Sequence, residues 1–138
     1  MAVFKKIFGL KTRADSIIDI TNEVSDFVLE CGLQNGIVCI FVPGSTGAVT
    51  TIEYEEGVLH DLSSAIERLF PSGMVYMHDR KWGDGNGYSH VRASFLGPSL
   101  TVPFRNRRLE TGTWQQIVFL ELDNRDRQRD IHVTVVGE

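Results

Sequence analysis

His78, Asp84 and His90 place two imidazoles and a carboxylate within thirteen residues. Imidazole nitrogens and a carboxylate oxygen are ligands for Zn²⁺ or, with more oxygen, Mg²⁺. The same groups can move protons as a general acid and base. Their spacing matches no standard zinc signature, and a polar loop with one solvated and one hydrogen-bonded histidine would read the same way. A second group of residues suits an anion. Pro43-Gly44-Ser45-Thr46-Gly47 is a run of small residues after an apolar stretch. Ser45, Thr46 and Gly47 can turn backbone N–H groups and hydroxyls toward a phosphate, or can form a plain bend between two strands. No Gly-Lys-[Ser/Thr] follows, so this is not a P-loop. Ser94 and Ser99, on either side of Gly97-Pro98, can add donors to phosphate oxygens with Arg92, or can belong to an ordinary hairpin turn. Glu53, alternating with Glu55, can serve as a base or metal ligand, or can belong to a solvated sheet face.

These residues need a scaffold, and the apolar pattern supplies one. Ala2 to Thr12 has interrupted strand character, and Ser16 to Ile20 reads as a short strand. Thr21 is placed to cap a helix with its hydroxyl. Val24, Phe27, Val28 and Cys31 then follow at helical spacing, with Gly32 as the stop. Gly36 to Val42 is a near-continuous apolar run and predicts a central strand buried on both faces. Ala48 to Glu53 resumes as a strand. Leu59, Leu62, Ile66 and Leu69 mark a second helix, closed by Pro71 and Gly73.

Tyr76 to Ser89, with Gly83, Gly85, Asn86 and Gly87, reads as a long loop, and loops of this length in compact domains are usually functional or mobile. His90 to Leu96 reads as a strand that turns at Gly97-Pro98 and returns from Ser99 to Phe104. Trp114 to Leu122 and Ile131 to Val136 read as a terminal pair of strands joined by the charged run Asp123 to Asp130. Trp114 is expected in a core or subunit interface. Arg105, Arg107 and Arg108 fit an exposed turn better than a phosphate site. About eight strands and two main helices predict an α+β fold, residues 1–138 as one domain, with a largely antiparallel sheet.

Composition limits the functions. The chain has 138 residues, 42% of them apolar, which suits one domain with its own core. A net charge of -4 argues against nonspecific nucleic-acid binding, which depends on neutralising phosphates. Cys31 and Cys39 read as buried free thiols. No apolar run is long enough to span a membrane and no signal-peptide pattern appears, so the expected compartment is the cytoplasm.

The order of segments is more specific than any one of them. GSTGAVTTIEYE at 44–55 is followed by YMHD at 76–79, then GDGNGYSHVRASFLGPSLTVPF at 83–104, GTWQQIVFLELD at 112–123 and a closing GE. Over nearly the whole chain this resembles the YjbQ-like family, small proteins described as secondary thiamine-phosphate synthases. The resemblance implies a single-domain α+β fold, a homotrimer, and a site of histidines and acidic residues between subunits. The activity it implies is a weak joining of a pyrimidine diphosphate to a thiazole phosphate, with release of pyrophosphate. Family positions fall on His78, His90, Glu53 and Asp84, and also on Ser94, Ser99, Thr113 and Gln115. Many members carry His-Thr-Thr/Ser-Ala where this chain has Gly44-Ser45-Thr46-Gly47, and close relatives would carry a histidine in place of Tyr88.

Overall fold

A computed structural model describes residues 1–138. Alternating apolar residues first build a five-stranded antiparallel sheet. Its strands run in the order β1 (Ala2–Thr12), β8 (Arg127–Gly137), β3 (Asn35–Phe41), β5 (Ser99–Arg105) and β6 (Arg108–Leu109). β1 and β8 pair along their full lengths, from Ala2 opposite Gly137 to Thr12 opposite Arg127, so the first strand is continuous. β3 and β8 cross so closely at Gly36 that a Cβ there would sit 2.1 Å from the carbonyl oxygen of Val136, which only glycine permits.

A second antiparallel sheet, of three strands, runs β2 (Ile17–Asp19), β7 (Gln116–Glu121), β4 (Gly47–Ile52). Its middle strand has buried side chains on both faces. Ile117 and Phe119 point at the larger sheet and join Val38, Ile40, Val42, Val133 and Val135, with Val24 and Val28 of α1 (Thr21–Cys31), in the main core. Val118 and Leu120 point the other way, against Ile66 of α2 (Glu56–Leu69) and Ala93 of α4 (Gly87–Leu96). The layers are therefore five-stranded sheet, three-stranded sheet, helices, with α1 closing one end of the main core. A short α3 (Met77–Trp82) leads into α4. No helix is long and apolar enough to cross a membrane.

The fold class is as expected, with four corrections. Residues 87–96 form a helix, so the expected strand from His90 to Leu96 and the expected long loop from Tyr76 to Ser89 give way to α3 and α4. The buried residues Tyr88, Ser89, Arg92 and Ala93 recur at helical spacing. Second, Trp114–Leu122 and Ile131–Val136 do not pair. β7 pairs with β2 and β4, while β8 pairs with β1 and β3. The charged run is correspondingly shorter, since Arg127 to Asp130 already belong to β8. Third, β3 is central in its sheet but buried on one face, with Ile37 and Phe41 exposed on the other. Cys39 on that outer face, and Cys31, are free and only half-buried. Fourth, Thr21 does not cap α1. Its hydroxyl donates to Asp19 Oδ1 (2.6 Å) and accepts from the Ile117 N–H (2.8 Å), which ties the start of α1 to β7. Gly32 ends that helix as expected, at φ 72°.

Candidate functional site

α3 and α4 meet through a tight contact. Gly87, at the start of α4, lies so close to Tyr76 that a Cβ would come within 2.5 Å of the tyrosine Cβ. Its N–H donates to Asp79 Oδ1 (2.9 Å), fixing that carboxylate at the junction. Gly83 ends α3 at φ 71° and Gly85 turns the chain at φ 69°, conformations that favour glycine. The short turn between them brings Asp84 back over α3.

The outcome is a compact cluster. His78 Nδ1 lies 3.3 Å from Asp84 Oδ1 and 3.5 Å from Asp79 Oδ1, and one ligand atom from each of the three residues falls within 4.8 Å of the others. His90 comes in from α4, its ring centroid 4.4 Å from that of His78 and tilted by 37°. His90 also lines a cleft of about 250 Å³ with Gly44, Ser45, Gly47, Ala93, Ser94 and Pro98. It is the residue shared between the acidic cluster and the small-residue turn.

Below this surface lies a buried ionic network. Arg129, from β8, donates through Nε to Glu121 Oε2 (2.8 Å) and through Nη2 to Glu121 Oε1 and to Thr46 Oγ1 (2.8 Å). Its Nη1 lies 3.2 Å from where a Cβ of Gly44 would stand, beneath the cleft. Thr46 in turn donates to Asp123 Oδ2 (3.1 Å). Asp123 also accepts from Arg127 Nη1 (2.6 Å), from the Asn124 N–H (2.8 Å) and from Asn86 Nδ2 (3.2 Å). Glu121 and Asp123 are both fully buried.

Burial pushes the Asp123 carboxyl upward, but the hydrogen bonds from Asn86, the Asn124 N–H and Thr46, with the Arg127 charge, outweigh it and hold the group below the ordinary carboxylate range. A folded-state value below the unfolded one means that Asp123 stabilises the fold above the unfolded value. That contribution is lost as pH falls through the folded value. Asp123→Asn is therefore expected to flatten the acid limb of a stability-against-pH curve measured by urea unfolding. An acid limb identical to wild type would show that Asp123 does not carry it.

Three buried side-chain atoms in the chain have no hydrogen-bond partner: His78 Nδ1, Asn86 Oδ1 and Ser89 Oγ. All lie in the α3–α4 segment. Buried polar atoms are otherwise almost always paired, so three unpaired ones in one segment call for an explanation.

The residues expected from the sequence divide into two sets. His78, His90 and Asp84 come together, and Ser45, Gly47 and Ser94 line the adjoining cleft. Ser94 Oγ already donates to the His90 carbonyl (2.8 Å) but keeps its acceptor capacity. Four residues stand elsewhere. Thr46 is buried, and its hydroxyl is held by Asp123 and Arg129. Arg92 lies on another side of α4, where Nε and Nη2 donate to the Phe70 carbonyl, Nη2 pairs with Glu67, and the guanidinium stacks 4.7 Å from the Tyr88 ring. Ser99 opens β5 opposite Phe41, outside the cleft. Glu53 follows β4 at the end away from Gly47, about 20 Å along an extended strand.

Glu53 is not on a strand with Glu55, which instead caps α2 by accepting from the Gly57 and Val58 N–H groups. Glu53 lines a separate surface cleft with Asp19, Tyr54, Thr113 and Trp114. Trp114 is exposed in this chain rather than packed in a core. Gln115 braces that end of the three-stranded sheet through Thr51 Oγ1 (3.0 Å). Of the three arginines expected in an exposed turn only Arg107 lies in one; Arg105 ends β5 and pairs with Glu110 (2.8 Å), and Arg108 begins β6.

Sequence reasoning missed Asp79, Asn86, Asp123 and Arg129 as parts of this site. Asp79 and Asn86 lay in what read as loop, and Asp123 and Arg129 in what read as a charged connection. Arg129 had one usable signal: its neighbours Ile131, Val133 and Val135 alternate inward, so the same period carries position 129 inward.

A layered antiparallel α+β domain, with a histidine–carboxylate cluster beside a cleft of small residues, is the class of protein that fold and site define. The family model described as UPF0047 protein YjbQ-like matches residues 6–138, and the chain belongs to that family. A UPF0047 protein of Methanothermobacter thermautotrophicus is 40% identical over 139 residues, covering 100% of this chain and 95% of the relative. The UPF0047 protein YugU of Bacillus subtilis is 34% identical, covering 91% of this chain and 93% of the relative. Among solved structures, a YbjQ-like protein of unknown function from Sulfolobus solfataricus superposes with a TM-score of 0.89 at 31% identity. That match covers 99% of this chain and 100% of the other. A YjbQ/UPF0047 family protein of Clostridium acetobutylicum gives 0.87 at 34% identity, covering 95% and 99%.

Proposed function

We propose that this protein binds a divalent cation at His78, Asp79 and Asp84, with His90 beside them, and a phosphorylated small metabolite in the adjoining cleft. The reaction this suits is a transfer of thiamine-phosphate-synthase type, in which a pyrimidine diphosphate is joined to a thiazole phosphate and pyrophosphate leaves. One observation carries the reading: the three unpaired buried polar atoms gather in the segment that also holds the histidine–carboxylate cluster. His78 Nδ1, buried and within 3.5 Å of two carboxylate oxygens without making a hydrogen bond to either, fits Zn²⁺ or Mg²⁺ as a partner.

Departure of pyrophosphate requires its growing charge to be stabilised, and a bound divalent cation supplies that stabilisation. The residues of this chain then have distinct tasks. Gly44, Ser45 and Gly47 let backbone and hydroxyl donors approach the phosphate closely. Arg129 stands with Nη1 beneath Gly44, its charge already paired with Glu121, so it offers the floor of the cleft an N–H donor rather than net charge. His90 stands at the boundary between the cluster and the cleft, where an imidazole can hold or pass a proton.

Assembly as a homotrimer belongs to this reading. Val3, Ile7, Ile37 and Phe41 are exposed on the outer face of the five-stranded sheet, an apolar surface that a second copy would cover. Glu53 would join such a site from a neighbouring copy. A second reading, binding of a metal or phosphometabolite without turnover, is favoured by Tyr88. Where close relatives would carry a histidine, this residue is buried against Tyr76 and Arg92 and offers the site no imidazole.

Calorimetric titration of metal-stripped protein with Zn²⁺ and Mg²⁺, on wild type and His90→Ala, tests the cation. Binding by wild type that weakens in the variant supports the proposal, and no binding of either metal removes it. Turnover of the pyrimidine and thiazole phosphates by the metal-loaded protein, or clean binding without product, then decides between the two readings.

A further inference from the structure

Asp123 lies outside the histidine–carboxylate cluster, yet its carboxylate holds residues that adjoin both halves of the site in the chain: Asn86, two residues after Asp84, and Thr46, between Ser45 and Gly47. Oδ1 accepts from Asn86 Nδ2 and Oδ2 accepts from Thr46 Oγ1, while Arg127 neutralises the charge. The bond to Asn86 has a consequence for orientation. A carboxylate can only accept, so the Asn86 amide must turn its NH₂ toward Asp123 and its oxygen away. That oxygen, Asn86 Oδ1, is buried and has no partner. Its place in the chain is beside the cluster: Asp84 is two residues before it, and the next residue, Gly87, donates its N–H to Asp79 Oδ1. Asn124 secures the same turn by donating from Nδ2 to the Asp84 carbonyl (3.0 Å).

We propose that Asp123 is a positioning residue that holds Asn86 Oδ1 as a further oxygen ligand for the cation bound by His78, Asp79 and Asp84. A side-chain amide carbonyl beside carboxylates suits a divalent ion, and the groups that orient direct ligands have large effects on affinity. Through Thr46, Asp123 also fixes the cleft loop against the cation turn, so the spacing between cation and phosphate is set from beneath by one buried carboxylate. This rests on the cation reading above.

The test is calorimetric titration of the full, metal-stripped chain with Zn²⁺ and with Mn²⁺, accompanied by thermal melts. Asn86→Leu removes the oxygen and is expected to weaken binding at least about 10-fold. Asp123→Asn can present either an oxygen or an amino group to Asn86, so it loses the single enforced orientation and is also expected to weaken binding, by about 10-fold. Asn86→Asp together with Asp123→Asn reverses the hydrogen bond. The new amide at 123 donates to the new carboxylate at 86, whose second oxygen keeps the place of Oδ1. At the loss of one contact from the Asn124 N–H, this pair is expected to restore affinity to within about threefold of wild type.

A role in folding alone would lower the melting temperature without moving the affinity of the folded protein. If a single variant does not fold, the double variant and wild type still decide the question: restored affinity supports the proposal, and affinity no better than a 10-fold loss in a folded double variant overturns it. Wild-type affinity in Asn86→Leu overturns this proposal and leaves the cation reading standing. Failure of wild type to bind either metal overturns both.

Discussion

Arg129→Met is expected to destabilise the protein by about 3–5 kcal/mol in urea unfolding, because it strands a charge in the interior. Glu121 is fully buried, and both its oxygens accept from Arg129; the remaining contacts come from Thr12 Oγ1 (2.7 Å) and the Asp123 N–H (3.2 Å). Two neutral donors do not compensate a buried carboxylate as a guanidinium does. The methionine replaces most of the volume, so the loss reports on charge rather than on a cavity. Replacing both partners, with Glu121→Met added, should recover much of the deficit, since a buried ion pair exchanged as a unit for apolar side chains is often close to neutral. A single-variant loss below about 1 kcal/mol would mean that water reaches Glu121 and that the network is not the dry interior described above. The effect should extend to the site, because Arg129 also holds Thr46, and Glu121 holds the backbone of Asp123.

His78→Ala is expected to lower Zn²⁺ affinity by about 100-fold or more, since loss of an outer partner alone commonly costs 10–100-fold and His78 is proposed as a direct ligand. Its Nδ1 lies within 3.5 Å of both carboxylates and makes no hydrogen bond in the chain. His90→Ala should have the smaller effect of the two, because His90 stacks on His78 and lines the cleft but is not in the three-residue ligand group. Calorimetry on the two variants gives the order directly. Equal affinity in His78→Ala and wild type would move any metal site away from α3. An order reversed, with His90→Ala the weaker binder, would place the cation in the cleft rather than over the cluster.

The legibility of this protein follows the range of the interactions involved. Alternation and helical spacing are local, and they placed β1, β4, β5, α1 and α2 close to their observed bounds. His78, Asp84 and His90 were recognisable because a few polar residues with chemical capacity stood close together in sequence. The motif order was specific enough to point to the family. The largest failure has a plain cause. The segment from Tyr76 to Leu96 carries polar and small residues whose helical form depends on contacts between its own two halves, Asp79 with the Gly87 N–H and Tyr76 against Gly87, and on Ala93 and Leu96 packing against the three-stranded sheet. Local propensity there is weak, and tertiary contacts override it.

What the sequence determined by itself was most of the strands, two of the four helices, the family, and a short list of residues able to bind a metal or a phosphate. The tertiary structure decided which of them meet. β7 and β8 each alternate plainly, yet pairing is a nonlocal choice, and their separation into two sheets lets Glu121 of β7 and Arg129 of β8 face each other across the interior. The same separation puts Asp123 beneath both Asn86 and Thr46, residues 37 and 77 positions away. It also leaves Glu53 at the far end of β4 and turns Arg92 toward Glu67. Side-chain type is written locally, but the environment that makes a carboxylate a hub and an arginine a brace comes from strands that meet only in the fold.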